Sequence, residues 1–282
     1  MHEGALRSLE FDKIVDVVCG LALTPLGATR LESLYPLDNI QNVEAALAET
    51  TECIEYQKVN GAISIESSPD LDTILTRLAI EALPLEANQL RSLANFLSSM
   101  TIVSRNIKQA KDGPFPKLLA TVENCHSFEE EISAVRNKIN NKNEIVDEGS
   151  TTLRNIRERL SKQESRLRAT LNSYLRGKAT GKYLQDKIVT ERGGRYVLII
   201  KNEHRNSIPG IIHGSSGSGS SFFLEPLSTV DINNEIVALQ ENEKTEIQRI
   251  LLSLSDLFRR RPLDLSLIHI SEPTRRTPIS YA

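Results

Sequence analysis

The 282-residue chain contains no tryptophan, and aromatic residues make up only 5% of it. Its three cysteines, Cys19, Cys53 and Cys125, lie far apart without a C-x-x-C pair, so the sequence indicates neither a disulfide framework nor a zinc site. We find no run of about 18 apolar residues, and no basic stretch followed by an apolar segment, so neither a membrane span nor a signal peptide is predicted. These absences predict a protein of the reducing cytoplasm.

Charge is distributed unevenly along the chain, although the formal net charge is only −3. Residues 150–205 contain 14 Lys and Arg against 5 Asp and Glu, a net +9, whereas residues 1–149 contain 13 against 23, a net −10. A local positive field on an otherwise acidic protein is typical of a polyanion-binding surface, because phosphate contacts supply most non-specific affinity for nucleic acid. A solvated helix face neutralised by acidic neighbours is the alternative, and the sequence leaves both open.

Apolar residues at helical spacing dominate the first 140 residues and predict a packed helical body. Thr24 and Pro25 supply an N-cap and a first-turn proline for a helix that extends to about Leu34. The acidic run from Glu129 to Glu131 is interpreted as a solvated first turn rather than a metal site, because consecutive carboxylates on a helix point in different directions. Other helices of this part are predicted near 6–21, 40–58, 70–80, 86–110 and 114–123.

Two longer helices are predicted in the second half, over about 150–175 and 229–260. The first has a heptad-like seam of apolar residues with a polar interruption near Gln163 and Glu164. Two helices that flank one insert pack most simply antiparallel, and each would be roughly 40 Å long. We therefore expect a mainly α protein with a long antiparallel helical arm.

The insert between these helices, residues 183–228, changes to β-favouring sequence. Gly193-Gly194 separates two such runs and predicts a hairpin, because a two-residue primed turn needs positive φ. A second pair of strands is predicted on either side of the loop Gly214-Ser-Ser-Gly-Ser-Gly-Ser220, which is too polar to bury. The insert is therefore predicted to be a small antiparallel β module.

The glycine and serine loop has three chemical interpretations. It lacks the lysine of a phosphate-binding P-loop, and its serines near His213 have neither a G-x-S-x-G elbow nor an obvious orienting acid, so no catalytic residue is predicted. Contact with nucleic-acid phosphates is the more credible functional interpretation, and a structural or partner-binding loop is the alternative. The candidate nucleic-acid-binding residues are Arg192, Arg195, Lys201, His204, Arg205, Ser215, Ser216 and Ser218.

The residues of the insert and of the N-terminus resemble a known family. The stretch YLQDKIVTERGGRYVLIIKNEHRNSIPGIIHGSSGSGSSFFLEPLSTVDINNEI, from Tyr183 to Ile236, closely resembles the clamp region of the second bacterial MutS paralogue, the type with a small-MutS-related nuclease domain. The segments LEFDKIVDVV and LALTPLGATRLESLYP look like the start of that family's core. Together the resemblance covers the chain from residue 5 to about 264.

The resemblance implies a MutS-type helical core and lever with an inserted β clamp. It divides the chain into a helical core at 1–145, an ascending lever helix at 146–182, a β-rich clamp at 183–228 and a descending lever helix at 229–264. Family members are dimeric ATPases that use ATP and Mg²⁺ and carry a nuclease module. They act on branched or mismatched DNA to suppress recombination and in some bacteria split collided ribosomes, which bind through rRNA.

The C-terminal segment, residues 265–282, has no helical period. Leu265 to Arg275 looks like the conceptual translation of a sequencing-library adapter, which Ile279 to Ala282 would continue. We expect this segment to be an assembly artefact and the gene product to be longer, with a Walker motif after residue 264.

The sequence therefore predicts the nucleic-acid-binding part of a larger ATP-driven protein. We expect this part to bind DNA or ribosomal RNA and to form a homodimer in the intact protein, with no membrane partner. It should hold no cofactor or metal and be catalytically silent by itself, because ATP and Mg²⁺ belong to the downstream domains implied by the resemblance. The alternative is a coiled-coil dimerisation or protein-interaction module, whose basic helix from Arg154 to Lys178 binds an acidic protein.

Overall fold

The computed structural model describes most of the chain. Its described residues are 6, 8–22, 24–66, 68, 70–110, 113, 115–123, 125–217, 219–262, 264 and 265. They divide into two compact units, a helical unit drawn from Met1–Val146 and Leu251–Ala282, and a mixed unit formed by Asp147–Ile250. The predicted site residue Ser218 and, apart from Leu265, the adapter-like segment lie outside the described residues. The division into core, levers and clamp stays a prediction.

Most of the described chain is helical, as the sequence predicts. Helices form in the segments where apolar residues recur at helical spacing. In chain order they are α1 (Phe11–Cys19), α2 (Pro25–Glu32), α3 (Ile40–Asn60), α4 (Leu71–Leu78), α5 (Ala87–Lys108), α6 (Pro116–Glu123), α7 (Glu129–Lys138), α8 (Thr151–Arg176) and α9 (Leu227–Arg259). Helix α9 contributes residues to both units.

The helical unit contains an aromatic and aliphatic core. Tyr56 and Phe115 meet edge to face with ring centroids 5.3 Å apart, and Val103 and Ile107 pack around them. Helix α1, in contrast, has no buried side chain among its described residues, and its Val17 is 68% exposed. The packing expected from the sequence is thus found around α3 and α5, whereas the apolar side chains of α1 are at most half-buried within the described residues.

Local signals place two helix starts correctly. The hydroxyl of Thr24 accepts a hydrogen bond from the amide of Gly27 at 3.0 Å, and Pro25 occupies the first turn of α2. The acidic run opens α7, where carboxylates favour the positive end of the helix dipole. One of these carboxylates, Glu131, is buried and lies 3.5 Å from the guanidinium of Arg261. The prediction of a solvated first turn is therefore wrong for Glu131, whose partner Arg261 is remote in sequence.

Helices α8 and the first part of α9 pack antiparallel in the mixed unit. Ser150, just before α8, donates to Glu246 at 2.6 Å, whereas Tyr174, near the end of α8, lies 2.9 Å from the Ser228 hydroxyl. The start of α8 therefore lies beside a late part of α9, and the end of α8 lies beside the start of α9, as antiparallel packing requires. At 26 residues, α8 is about 39 Å long.

The mixed unit contains a four-stranded antiparallel sheet in the insert. Its strands are β1 (Leu184–Arg192), β2 (Arg195–Lys201), β3 (Gly210–Ser215) and β4 (Ser221–Pro226), in the order β1-β2-β4-β3. Gly193 and Gly194 join β1 to β2 with φ of 57° and 75°, the backbone that a primed turn requires. Both predicted strand pairs are confirmed. The insertion of β4 between β2 and β3 was not predicted.

One face of the sheet packs against the helix pair. Leu198 and Leu224 lie opposite each other on β2 and β4, and both are buried. They share a core with Leu167 of α8 and Ile236 of α9, which are also fully buried. Side chains alternate between the two faces of a strand, so Ile199, Lys201 and Phe223 point away from this core.

Among the helices of the described residues, none combines the length and apolar character that crossing a membrane would require.

Candidate nucleic-acid interface

The candidate residues lie at opposite ends of the sheet. Arg192 and Arg195 flank the Gly193-Gly194 turn, which we call the turn end. The other end, which we call the loop end, is formed by Lys201, the helical turn Asn202–His204, Arg205 and the loop between β3 and β4. Arg195 and Lys201 are six residues apart on β2, or roughly 20 Å along the strand. The structure therefore divides the predicted site into two.

Arg192 is an exposed cation at the turn end. Its guanidinium carbon lies 4.8 Å from the centroid of the Phe223 ring, on the sheet face that points away from the helices. Stacking on an aromatic ring orients a guanidinium without neutralising it. Arg192 has no ion pair within the described part of the chain, so its charge is available to an anion.

Arg195, in contrast, is committed to a buried hydrogen-bond network. Its Nη1 donates to both carboxylate oxygens of Glu225, at 2.8 and 3.1 Å, and its Nη2 donates to Asn234. Glu225 is fully buried, accepts from Asn233 at 2.8 Å and lies 2.6 Å from Nε2 of His213. A buried carboxylate needs such partners to offset its lost hydration. The geometry thus gives Arg195 a structural role.

Asn233 connects this network to the backbone of the inner strand β2. Its Oδ1 accepts from the amide of Tyr196 at 3.2 Å, and its Nδ2 donates to the carbonyl of Tyr196 at 3.1 Å. Sequence reasoning missed both Asn233 and Glu225. The available signals were a glutamate in the apolar run FFLEP and an Asn-Asn pair on an amphipathic helix, since polar residues at buried positions must find partners.

The loop end gathers three of the predicted basic residues. Lys201 is half-buried and Arg205 is exposed, and neither makes an ion pair with another described residue. His204 packs against Tyr183 with ring centroids 4.8 Å apart, and its Nε2 lies 3.6 Å from the Glu203 carboxylate. The charges of Lys201 and Arg205 are therefore available to an anion, whereas His204 has an acidic neighbour.

The loop between β3 and β4 is tied together by its own backbone. The amide of Ser216 donates to the carbonyl of Ser221 at 2.8 Å, and the amide of Gly219 donates to the carbonyl of Ser216 at 2.9 Å. The amide of Ser221 donates to the hydroxyl of Ser216 at 3.2 Å, and Ser215 is exposed at the end of β3. The amides of Ser216, Gly219 and Ser221 therefore already have acceptors within the loop.

The first half of α8 is neutralised by acidic side chains. Arg157 donates to Glu243 at 2.7 Å and to Asp147 at 2.5 Å, and Arg159 lies 3.1 Å from Glu235. Burial lowers the pKa of Arg157, but its hydrogen bonds and attraction to Glu243 and Asp147 raise the pKa to above its ordinary value overall. The alternative left open by the sequence, a solvated face with paired charges, applies to this half of the helix.

No group of three or more His, Cys, Asp or Glu side chains suited to a metal ion occurs within the described ranges. The acidic run of α7 accordingly forms no such group there.

Comparison with known proteins identifies relatives over nearly the whole chain, although no family model matches it. Endonuclease MutS2 of Alkaliphilus oremlandii is 32% identical over 266 residues, which cover 94% of this chain and 34% of that protein. Endonuclease MutS2 of Acetivibrio thermocellus is 35% identical over 265 residues, covering 92% and 33%. The protein of the same name from Clostridium beijerinckii is 36% identical over 262 residues, covering 90% and 32%.

The chain spans about one third of the length of these relatives. The similarity includes both the helical segments and the β insert, because it extends over at least nine tenths of the chain. The chain therefore matches a fragment of the MutS2 family, and the resemblance drawn from its sequence motifs is confirmed.

Proposed function

We propose that the mixed unit binds the phosphate backbone of DNA through the loop end of its sheet. The observation that carries this proposal is the availability of Lys201 and Arg205, which have no ion pair among the described residues and belong to the segment of net charge +9. Phosphate contacts by such cations supply sequence-independent affinity and fix the position of a protein on nucleic acid.

In a longer MutS2 protein this chain would bind nucleic acid, and other parts would carry out catalysis. The relatives carry the name endonuclease, and we propose that DNA cleavage, with the ATP and Mg²⁺ that the resemblance implies, belongs to parts of a MutS2 protein other than this chain. The α8 and α9 pair would act as a lever that transmits ATP-driven motion in a homodimer to the sheet. Branched or mismatched DNA is the proposed target, and suppression of recombination the proposed outcome.

Burial in the helix pair favours this function over a coiled-coil dimerisation module. Leu153, Leu167 and Leu171 of the α8 seam are fully buried within a single chain. An intermolecular coiled coil through that seam would have to separate α8 from its present contacts, at a cost set by the lost apolar burial. The seam is therefore used inside the chain.

The test is DNA binding by the full chain as a function of salt. The variant K201Q/R205Q removes two available cations, so we expect the slope of log affinity against log salt to become shallower by about 2. The fall in affinity between about 50 and 200 mM salt should then be roughly tenfold smaller than for the unmodified chain.

The matched control is K244Q/R249Q, which removes two charges from the same unit. Lys244 lies 3.7 Å from Glu241 and Arg249 lies 2.7 Å from Glu246, so these cations already have anions nearby. Unchanged DNA affinity in K201Q/R205Q would refute the proposal. Tighter binding of ribosomal RNA than of a DNA duplex, lost in the same variant, would replace DNA as the target.

A further inference from the structure

The segment that follows the neutralised half of α8 contains cations and no acids. Residues 165–182 contain five basic residues, and neither Asp nor Glu occurs between Glu164 and Asp186. All five are exposed, and none makes an ion pair within the described residues. They are Arg166, Arg168, Arg176, Lys178 and Lys182. We call residues 165–182 the acid-free segment.

Helix geometry directs the arginines of this segment outward. Leu167 is fully buried in the core beneath the sheet. Successive residues of a helix are rotated by about 100°, so Arg166 and Arg168 flank Leu167 by about 100° on either side, and Arg176 lies roughly opposite it. The exposed residues between them include Ala169 and Ser173, which are too small to hold a ligand away from the helix.

A favourable interaction with the helix dipole explains only some of the basic residues in the acid-free segment. Arg176 and Lys178 lie at the C-terminus of α8, where the helix dipole favours cations. That effect is confined to the last turn, whereas Arg166 and Arg168 lie more than one turn before it. Within the described residues neither arginine has a carboxylate within ion-pair distance, although Glu164 lies one turn before Arg168 on the helix.

The acid-free segment continues directly into the loop end of the sheet. Lys182 precedes Tyr183, whose carbonyl accepts a hydrogen bond from the amide of Lys201 at 2.9 Å. Lys182 therefore lies beside the strand end that bears Lys201, with Arg205 in the following turn. In chain order, the available cations of α8, Lys182, Lys201 and Arg205 form one series, in which Lys182 links the acid-free segment to the loop end.

We propose that this series is a single phosphate-binding track, which holds a nucleic-acid duplex along α8 as well as at the loop end. The proposal rests on the proposed function and extends it to the partner's form and length. From Arg166 to Arg176 the helix rises about 15 Å, which corresponds to four or five base pairs of a duplex at about 3.4 Å each. Arg166 and Arg168 border the two sides of the outward surface of α8 and Arg176 lies between them, and a straight, rigid helix with cations arranged in this way suits a straight, rigid duplex better than a flexible single strand.

Duplex length provides the decisive experiment. The full chain is titrated with hairpin-closed duplexes of about 6 and about 14 base pairs at several salt concentrations. In the unmodified chain, the longer duplex should bind more tightly and with a steeper salt slope. In R166Q/R168Q, the slope for the longer duplex should become shallower by about 2, while the short duplex, held at the loop end, binds as before.

The control variant is R154Q/R159Q, which removes the same charge from the neutralised half of the same helix. Arg154 lies 3.9 Å from Glu148 and Arg159 lies 3.1 Å from Glu235, so we expect unchanged binding of both duplexes. Circular dichroism verifies that glutamine, a good helix former, preserves α8 in both variants.

The outcomes separate this proposal from the proposed function. If R166Q/R168Q binds the longer duplex as the unmodified chain does while K201Q/R205Q loses affinity, the track is refuted and the loop-end site stands. If neither variant alters DNA binding, both proposals fail. Tighter binding of polyglutamate than of the longer duplex, lost in R166Q/R168Q, would make an acidic protein the partner of α8 and overturn the assignment to a duplex.

Discussion

The two halves of α8 contain the same basic residue types in different surroundings. In the first half, Arg157 and Arg159 lie within 3.1 Å of carboxylates that α9 and the preceding turn supply. In the second half, Arg166 and Arg168 have no carboxylate partner in the described chain. A net charge counted along the sequence predicts a basic region, but only pairing in three dimensions tells which of its cations can bind an external anion.

The largest loss of stability is expected in the sheet, where Arg195 has an ion pair with a carboxylate and Arg192 has none among the described residues. Arg195→Gln leaves the fully buried Glu225 without its cation, and we expect the free energy of unfolding to fall by about 3 to 5 kcal/mol. Urea denaturation measures this change. Arg192→Gln is the matched control and should change stability by less than about 0.5 kcal/mol. Equal losses in the two variants would contradict a structural role specific to Arg195.

A smaller loss of stability is expected for Arg157→Gln in the neutralised half of α8. The substitution removes half-buried hydrogen bonds to Glu243 and Asp147, and we expect it to cost about 1.5 kcal/mol. Arg166→Gln, on the same helix, should leave the thermal unfolding midpoint unchanged because its side chain has no partner to lose among the described residues. A comparable fall in both midpoints would remove the distinction between the two halves.

The side chain of Ser150, an uncharged residue at the start of α8, is expected to contribute to the stability of the neutralised half. The hydroxyl of Ser150 caps the helix by accepting from the amide of Leu153 at 3.0 Å and donates to Glu246 at 2.6 Å. We expect Ser150→Ala to cost about 1 kcal/mol. Hydrogen exchange should show the loss as faster exchange in the first turn of α8, and Ser150→Thr, which retains a capping hydroxyl, should restore protection. Unchanged exchange in the alanine variant would exclude this cap as a source of stability.

The smallest effect is expected for Arg159→Gln, whose ion pair with Glu235 is exposed on the arginine side. Exposed pairs contribute little because solvent screens them and both side chains lose freedom, so the loss should be at most about 0.5 kcal/mol. A double-mutant cycle with Glu235→Gln measures the coupling directly. A coupling energy well above that value would show that the neutralised half is held more firmly than its exposure indicates.

Sequence patterns predicted the local elements of the fold well. The spacing of apolar residues predicts α5 and α8, and the Gly193-Gly194 pair predicts the β1-β2 hairpin, because these depend on residues close in the chain. The order of the strands was not predicted, since β4 reaches β2 only after an intervening strand. The exposed apolar face of α1 was also missed, because periodicity reports that a helix is amphipathic without identifying what covers it.

The sequence by itself indicated the resemblance to MutS2 proteins, the positions of the helices and hairpins, and the existence of a basic region. The tertiary structure decided which basic residues that region makes available. Arg195 and Arg192 are three positions apart in sequence, yet one is joined to a buried carboxylate 30 positions away and the other stacks on an aromatic ring. Ion pairing depends on atoms within about 4 Å, and only folding brings residues so distant in sequence to that separation.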